Sequence, residues 1–222
     1  LFILLVLIAI TLLPVLAFRF VPPPTSAFML ADRLIGRERV PASDFRYRWT
    51  DWDAIAPAMR LAAVAAEDQK FPRHWGFDFE SIQDAIRHPG KRGRLRGAST
   101  ISQQVARNLF LWRGRSLVRK GLEVYFTVLL EACWSKRRIL EVYLNVAELG
   151  DGIYGVTAAG QAFFGKRPAD LQPGEAALLA AALPSPKRFS VRTPSVYVRE
   201  RATWIEAQMA QLGGPAYLRS LN

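Results

Sequence analysis

The chain has 222 residues, half of them hydrophobic, with 30 Lys and Arg against 19 Asp and Glu for a formal charge of +11. That length holds one domain of ordinary size plus an appendage, and the excess positive charge calls for an anionic partner: nucleic acid, acidic lipid or a phosphorylated substrate. One cysteine excludes an internal disulfide, and two histidines fourteen positions apart make no recognisable zinc site with it.

The opening LFILLVLIAITLLPVLAF carries no charge and is broken only by Thr11 and Pro14. Crossing a hydrocarbon core takes about 20 residues. With no initiator Met, residues 1–20 are expected to be a transmembrane anchor helix clipped at its start. A secretory signal needs a shorter apolar run and a small-x-small cleavage site, which Leu16-Ala17-Phe18-Arg19 does not supply. Residues 21–27, opening Val21-Pro22-Pro23-Pro24, end the helix and form a stiff spacer. From 28 to 222 the chain reads as one compact unit without repeats. A short alternation over Phe45–Trp49 suggests a strand. Helical periodicity covers 53–67, 99–112, 116–133, 135–147, 153–163, 173–183 and 195–212. The fold class expected is mainly α. Cys133 lies in an apolar helical pattern and reads as packing.

In the first of these helices the apolar run Leu61-Ala62-Ala63-Val64-Ala65-Ala66 ends in Glu67 and Asp68. Acids at a helix C-terminus oppose the macrodipole. Burial, a neighbouring carboxylate and the dipole should together raise the Glu67 pKa, as a proton-transferring carboxylate near neutral pH requires. The segment Arg87–Gly97 is a basic, glycine-rich loop that fits no Walker A pattern. It could close over an anion or simply be solvated. Thr100 and Gln103 then have capping-box spacing. Thr100, Gln103, Gln104 and Arg107 share one helix face, while Ile101, Val105 and Leu109 share the face expected to be buried. Hydroxyl, amide and guanidinium on one face suit phosphate or sugar oxygens, although a solvated surface remains the alternative. In the next helix Glu123 has Arg119 four residues back and Lys120 three back. The apolar VYFTVLLEACW that follows predicts a mostly covered helix, in which cationic neighbours keep Glu123 ionised. Two carboxylates in contrasting settings, with cations beside one, are the parts of glycosyl chemistry.

At this point the sequence resembles the peptidoglycan glycosyltransferases, most closely the monofunctional biosynthetic kind. Five motifs in order carry the resemblance. Glu67-Asp68-x-x-Phe71-x-x-His74-x-Gly76-x-Asp78 is similar to the first motif. Gly97-x-Ser99-Thr100-Ile101-x-Gln103-Gln104 with Asn108 is similar to the second. Arg119-Lys120-x-x-Glu123 with Ser135-Lys136 through Asn145 resembles the third. Gly152-Ile153-Tyr154-Gly155 to Lys166 resembles the fourth, and Leu171 through Glu175 to Pro186 the fifth.

The resemblance implies a two-lobed, lysozyme-like helical domain that polymerises lipid II into glycan strands with inversion, releasing polyprenyl pyrophosphate. In it Glu67 and Glu123 are the catalytic carboxylates. Glu67 takes the acceptor's 4-hydroxyl proton, and Glu123 organises the pyrophosphate side. A divalent cation on Glu123, Mg or Mn, is the one cofactor left open. Substrate contacts fall on Asp68, Phe71, His74, Ser99, Thr100, Gln103, Gln104, Arg107, Asn108, Arg115, Arg119, Lys120 and Lys136, with His74 chiefly shaping its loop. Arg107 stands where the family usually has Lys, which implies altered donor affinity. Neither S-x-x-K nor K-T-G occurs, so no transpeptidase activity is expected. The partners implied are lipid II, the growing lipid-linked strand, the cytoplasmic membrane and other cell-wall proteins, with no nucleic acid. The catalytic domain is expected on the outer face of that membrane. A glycan-cleaving enzyme on a similar scaffold and a tethered binder of acidic polymer are the competing readings. The cationic set Arg107, Arg115, Arg119 and Lys120 argues against the first, and the carboxylates against the second.

Overall fold

The computed structural model describes residues 2–34, 46–87 and 99–221. Ten α-helices occur in the described residues: α1 (Phe2–Phe18), α2 (Ala27–Leu34), α3 (Pro57–Glu67), α4 (Phe79–Arg87), α5 (Ile101–Phe110), α6 (Leu117–Cys133), α7 (Lys136–Val146), α8 (Gly155–Phe164), α9 (Pro173–Ala182) and α10 (Val196–Gln211). Three short strands, β1 (Arg46–Tyr47), β2 (Glu148–Gly150) and β3 (Ile153–Tyr154), form one sheet in the order β1-β3-β2. β1 runs parallel to β3, and β2 antiparallel to it. The domain is mainly helical, as expected. The predicted basic loop lies, beyond Arg87, outside the described residues.

Local chemistry sets the helix starts. Thr100 and Gln103 close a reciprocal capping box on α5. Ser116, Ser135 and Ser195 each accept a hydrogen bond from the backbone N–H three residues on, at the heads of α6, α7 and α10. Pro57 at the head of α3 and Pro173 at the head of α9 sit where no N–H is needed. Because of Pro57, α3 starts four residues later than the periodicity suggests, after a 3-10 turn over Trp52–Ala54. The strand expected over 45–49 contracts to two residues, Ile153–Tyr154 form β3 where the periodicity suggests the start of a helix, and α2, α4 and β2 had no sequence expectation.

Two helical groups build the core. α3 packs against α9 and α10, while α5 packs against α6 and α7. Ile101, Val105 and Leu109 are buried, as their shared face predicts. The groups meet where α3 ends and α5 begins. α6 departs from expectation: Glu123, Phe126 and Leu130 are buried, but Val118, Val124, Tyr125 and Val128 face solvent. Its apolar run therefore serves two sides, one of them not covered by the described residues.

α1 is 17 residues long, which at 1.5 Å per residue is about 26 Å, against roughly 30 Å of hydrocarbon in a bilayer. No helix among the described residues is long and apolar enough to cross a membrane. The C-terminal half of α1 docks on the domain. Val15 is buried, and its carbonyl accepts from Trp134 Nε1 at 2.7 Å. Thr11 Oγ1 lies 2.8 Å from Tyr125 OH. Arg138 donates to the carbonyls of Phe18 and Val21 at 3.0 and 2.9 Å.

Gly155, the first residue of α8 directly after β3, has φ +80°, and a Cβ there would lie 2.4 Å from the Asn145 carbonyl oxygen. Left-handed backbone and a backbone clash add together, so Gly155→Ala should cost at least about 2 kcal/mol. Urea denaturation reads this directly as a lowered midpoint at unchanged m-value.

Candidate active site

Glu67 is the last residue of α3, and its side chain is 14% exposed. Its Oε2 accepts from Gln104 Nε2 at 2.9 Å, and Arg201 Nη2 lies 3.6 Å from Oε1. Burial raises the pKa of this carboxyl above the ordinary range, and Asp68 adds to the rise. The Gln104 hydrogen bond and the charges of Arg201 and Arg107 oppose it without cancelling it. Tyr143 OH donates to Gln104 Oε1 at 3.3 Å. The buried phenol is held far above its usual pKa and stays a donor. With its oxygen so engaged, the Gln104 amide turns its NH2 toward Glu67.

Asp68 does something different from its neighbour. Its carboxylate binds His74 Nε2 at 2.9 and 3.0 Å and accepts from Ile101 N at 2.9 Å. It clips the end of α3 to the start of α5 and thereby fixes Glu67 against Gln104. Thr100 Oγ1 donates to the Gly76 carbonyl at 2.6 Å, tying in the intervening loop.

Two cavities flank α5. One, about 240 Å³, is lined by Glu67, Asp68, Lys70, Ser99, Thr100 and Trp204. The other, about 340 Å³, is lined by Gln104, Arg107, Asn108, Arg115, Arg119 and Tyr143 among others. Gln104 links them, since it lines the second and holds the Glu67 carboxylate of the first. Behind the second cavity Glu123 is buried between two cations, with Arg119 at 2.7 Å and Lys120 at 2.6 Å. The Arg107 charge is felt by both Glu67 and Glu123. Arg119 Nε is buried without a hydrogen-bond partner among the described residues. A larger cavity of about 710 Å³, lined by Arg46, Trp49, Thr157 and Lys166, contains none of the expected site residues. Its one carboxylate, Asp51, is bound to Trp49 Nε1 at 2.8 Å.

Several expected substrate contacts are placed elsewhere. Phe71 is fully buried and packs edge-on against His74, with the Lys136 ammonium 4.6 Å from its ring centroid. Lys136 itself is held by Glu131 at 2.7 Å. Gln103 spends its side-chain oxygen on the Thr100 N–H at 3.1 Å, and both residues are buried. Gln103 Oε1 and the Lys136 ammonium are thus engaged inside the fold, and Phe71 packs in the core, whereas Thr100, although buried, still borders the 240 Å³ cavity. Two residues had not been singled out for the site. Arg201 reaches Glu67 from α10, 134 positions along the chain, with no local pattern to announce it. Tyr143 stands in the third motif but carries no charge to draw notice.

The donor set does not fit a resident metal ion. Both Glu123 oxygens are engaged by cations, and the described residues contain no group of three His, Cys, Asp or Glu able to hold one.

The family model described as Transglycosylase matches residues 34–210. The chain belongs to the transglycosylase family. A relative from Xanthomonas euvesicatoria pv. vesicatoria, called a biosynthetic peptidoglycan transglycosylase, is 54% identical over 215 residues, covering 95% of this chain and 86% of its own. One of the same name from Xylella fastidiosa (strain 9a5c) is 54% identical over 224 residues, covering 98% and 90%. As a transglycosylase the protein is a glycosyltransferase. The matched segment takes in every site residue from Glu67 to Arg201, and it begins at the last residue of α2.

Removing Arg201 takes away a cation that favours the ionised Glu67. With Glu67 acting as the base, the role proposed for it below, Arg201→Met should move the acid limb of kcat/KM to higher pH, because a base works only when deprotonated. A pH–rate profile measured beside the unsubstituted protein checks the direction of that shift.

Proposed function

We propose that this transglycosylase polymerises lipid II, with the donor's diphosphate in the cationic cavity and the acceptor sugar in the cavity holding Glu67. The observation that carries this reading is the arrangement across α5: a desolvated carboxylate on one side, Arg107 and Arg119 on the other, joined through Gln104. Glu67 removes the proton of the acceptor's 4-hydroxyl, and that oxygen attacks C1 of the donor with inversion. The C1–O bond breaks toward the polyprenyl diphosphate, whose charge falls on Arg107, Arg115 and Arg119. Glu123 sets the Arg119 and Lys120 side chains and stays outside the bond changes. A glycan-cleaving enzyme has no departing diphosphate and no use for such a cation set.

The two lobes are taken to be the α3/α9/α10 and α5/α6/α7 groups, in a lysozyme-like arrangement. Residues 1–20 serve as a single-pass anchor, and 21–27 as its spacer, placing the catalytic domain on the outer face of the cytoplasmic membrane. The apolar side chains that α1 and α6 leave in solvent, Ile10, Leu13 and Leu16 with Leu117 and Val128, support a lipid contact. Such tethering would concentrate the enzyme on the surface that holds its substrate. Cross-linking is left to partner proteins.

Lipid II in detergent tests the reaction. Glycan polymer and polyprenyl diphosphate should appear together; shortening of preformed strands with no diphosphate released would reverse the reading. Arg107→Lys keeps the charge but loses the planar fork. It should raise KM by about 3- to 10-fold with kcat less affected, and unchanged kinetics would remove Arg107 from donor binding.

A further inference from the structure

The 340 Å³ cavity has a wall that the family match does not include. Phe28 of α2 lines it, only 9% exposed, and two guanidinium groups lie over its ring: Arg113 at 4.3 Å and Arg107 at 5.9 Å from the centroid. α2 packs against α5, the helix that carries Arg107. It is fastened there by Arg113, whose Nη2 donates to Asp32 at 3.1 Å, to Glu148 at 3.0 Å and to Tyr154 OH at 2.8 Å. Tyr154 OH also donates to Asp32, and Lys187 lies 3.6 Å from Asp32 and 3.2 Å from Glu148. The segment leading into α2 is held as well: Tyr47 OH donates to the Pro23 carbonyl at 2.6 Å, and Ser26 Oγ accepts from Met29 N at 3.1 Å.

A guanidinium facing a cavity keeps many rotamers unless its neighbours hold it. Arg107 has a long hydrogen bond from Nε to Asn108 Oδ1 at 3.4 Å and the Phe28 ring centroid 5.9 Å away, and Arg113, 4.3 Å from the same centroid, holds Phe28 in place. We infer that Phe28, Asp32 and Arg113 are positioning residues that orient Arg107 in the anion cavity, so that α2, the segment joining spacer to domain, is part of the donor site. This rests on reading that cavity as the diphosphate site. The charge network around Asp32, whose Arg113 and Glu148 also border the cavity, then sets donor affinity through the placement of Phe28 and Arg107.

The test uses the full chain in detergent with inorganic pyrophosphate as a competing ligand. Phe28→Leu should weaken pyrophosphate inhibition and raise KM by about tenfold, the size of a desolvated cation–π contact, while kcat changes little. Phe28→Tyr should restore both. The double-mutant cycle of Phe28→Leu with Arg107→Lys should be non-additive, the Arg107 change costing less once the ring is gone. Should Phe28→Leu fail to fold, Asp32→Asn is measured by the same readouts with the same expectation. Equal pyrophosphate affinity in these variants, or an additive cycle, overturns the inference. A polymerising parent protein that pyrophosphate does not inhibit instead overturns the assignment of the cavity.

Discussion

Replacing Glu67 by Gln should lower polymerisation by about 10²–10⁴-fold, the usual contribution of a general base, while the fold is kept. The amide still meets Gln104 and fills the same space. It cannot take a proton from a sugar hydroxyl. The same variant should melt at a higher temperature near neutral pH. Burial raises the Glu67 pKa in the folded protein, so the folded state holds its proton to higher pH than the unfolded chain does. Stability is therefore lost as pH rises from the unfolded value through the folded one. Gln avoids that loss, and the melting difference between the two proteins should widen with pH across this interval and vanish in acid. A catalytic group that weakens the fold it belongs to is a common trade. Thermal melts at a series of pH values, beside lipid II turnover, read both halves.

Glu123→Gln should act by a different route. Glu123 is 2% exposed, with Arg119 and Lys120 on its two oxygens. Removing one partner of a buried pair costs about 3–5 kcal/mol. Lys120 is 46% exposed and can turn to water, so the lower end of that range is expected. Turnover should fall about 10²-fold, because the cations proposed to meet the leaving group lose their seat. Added pyrophosphate should recover part of the lost stability by giving Arg119 another anion. Wild-type rates with wild-type stability would show that the buried Glu123 pair serves neither the donor site nor the fold.

Much of this site could be read in the sequence because it is built from local patterns. The break in rule at Ala66-Glu67-Asp68 marked the end of α3. The capping box of α5 and the spacing from Arg119 to Glu123 followed helical geometry. Local reading failed where the fold brings distant residues together. Arg201 reaches Glu67 from α10, and Phe28 and Asp32 meet Arg113 across roughly eighty positions. It also failed where a polar residue closes on another inside the protein. Gln103 and Lys136 look like ligand contacts in a motif, yet they serve Thr100 and Glu131. β2 and β3 are too short to show a period-two pattern, and α2 and α4 too short to show a helical one with weight.

The most direct measurement is the titration of Glu67 itself, by carboxyl infrared difference spectra between the wild type and Glu67→Gln, set beside the pH dependence of kcat/KM with lipid II. The expected result is a single carboxyl that ionises above the ordinary glutamate value of about 4.3, at the same pH as the acid limb of turnover. The limb should also be missing from whatever activity Glu67→Gln retains. A Glu67 that ionises at the ordinary value, or an acid limb that persists unchanged in the variant, would contradict the account.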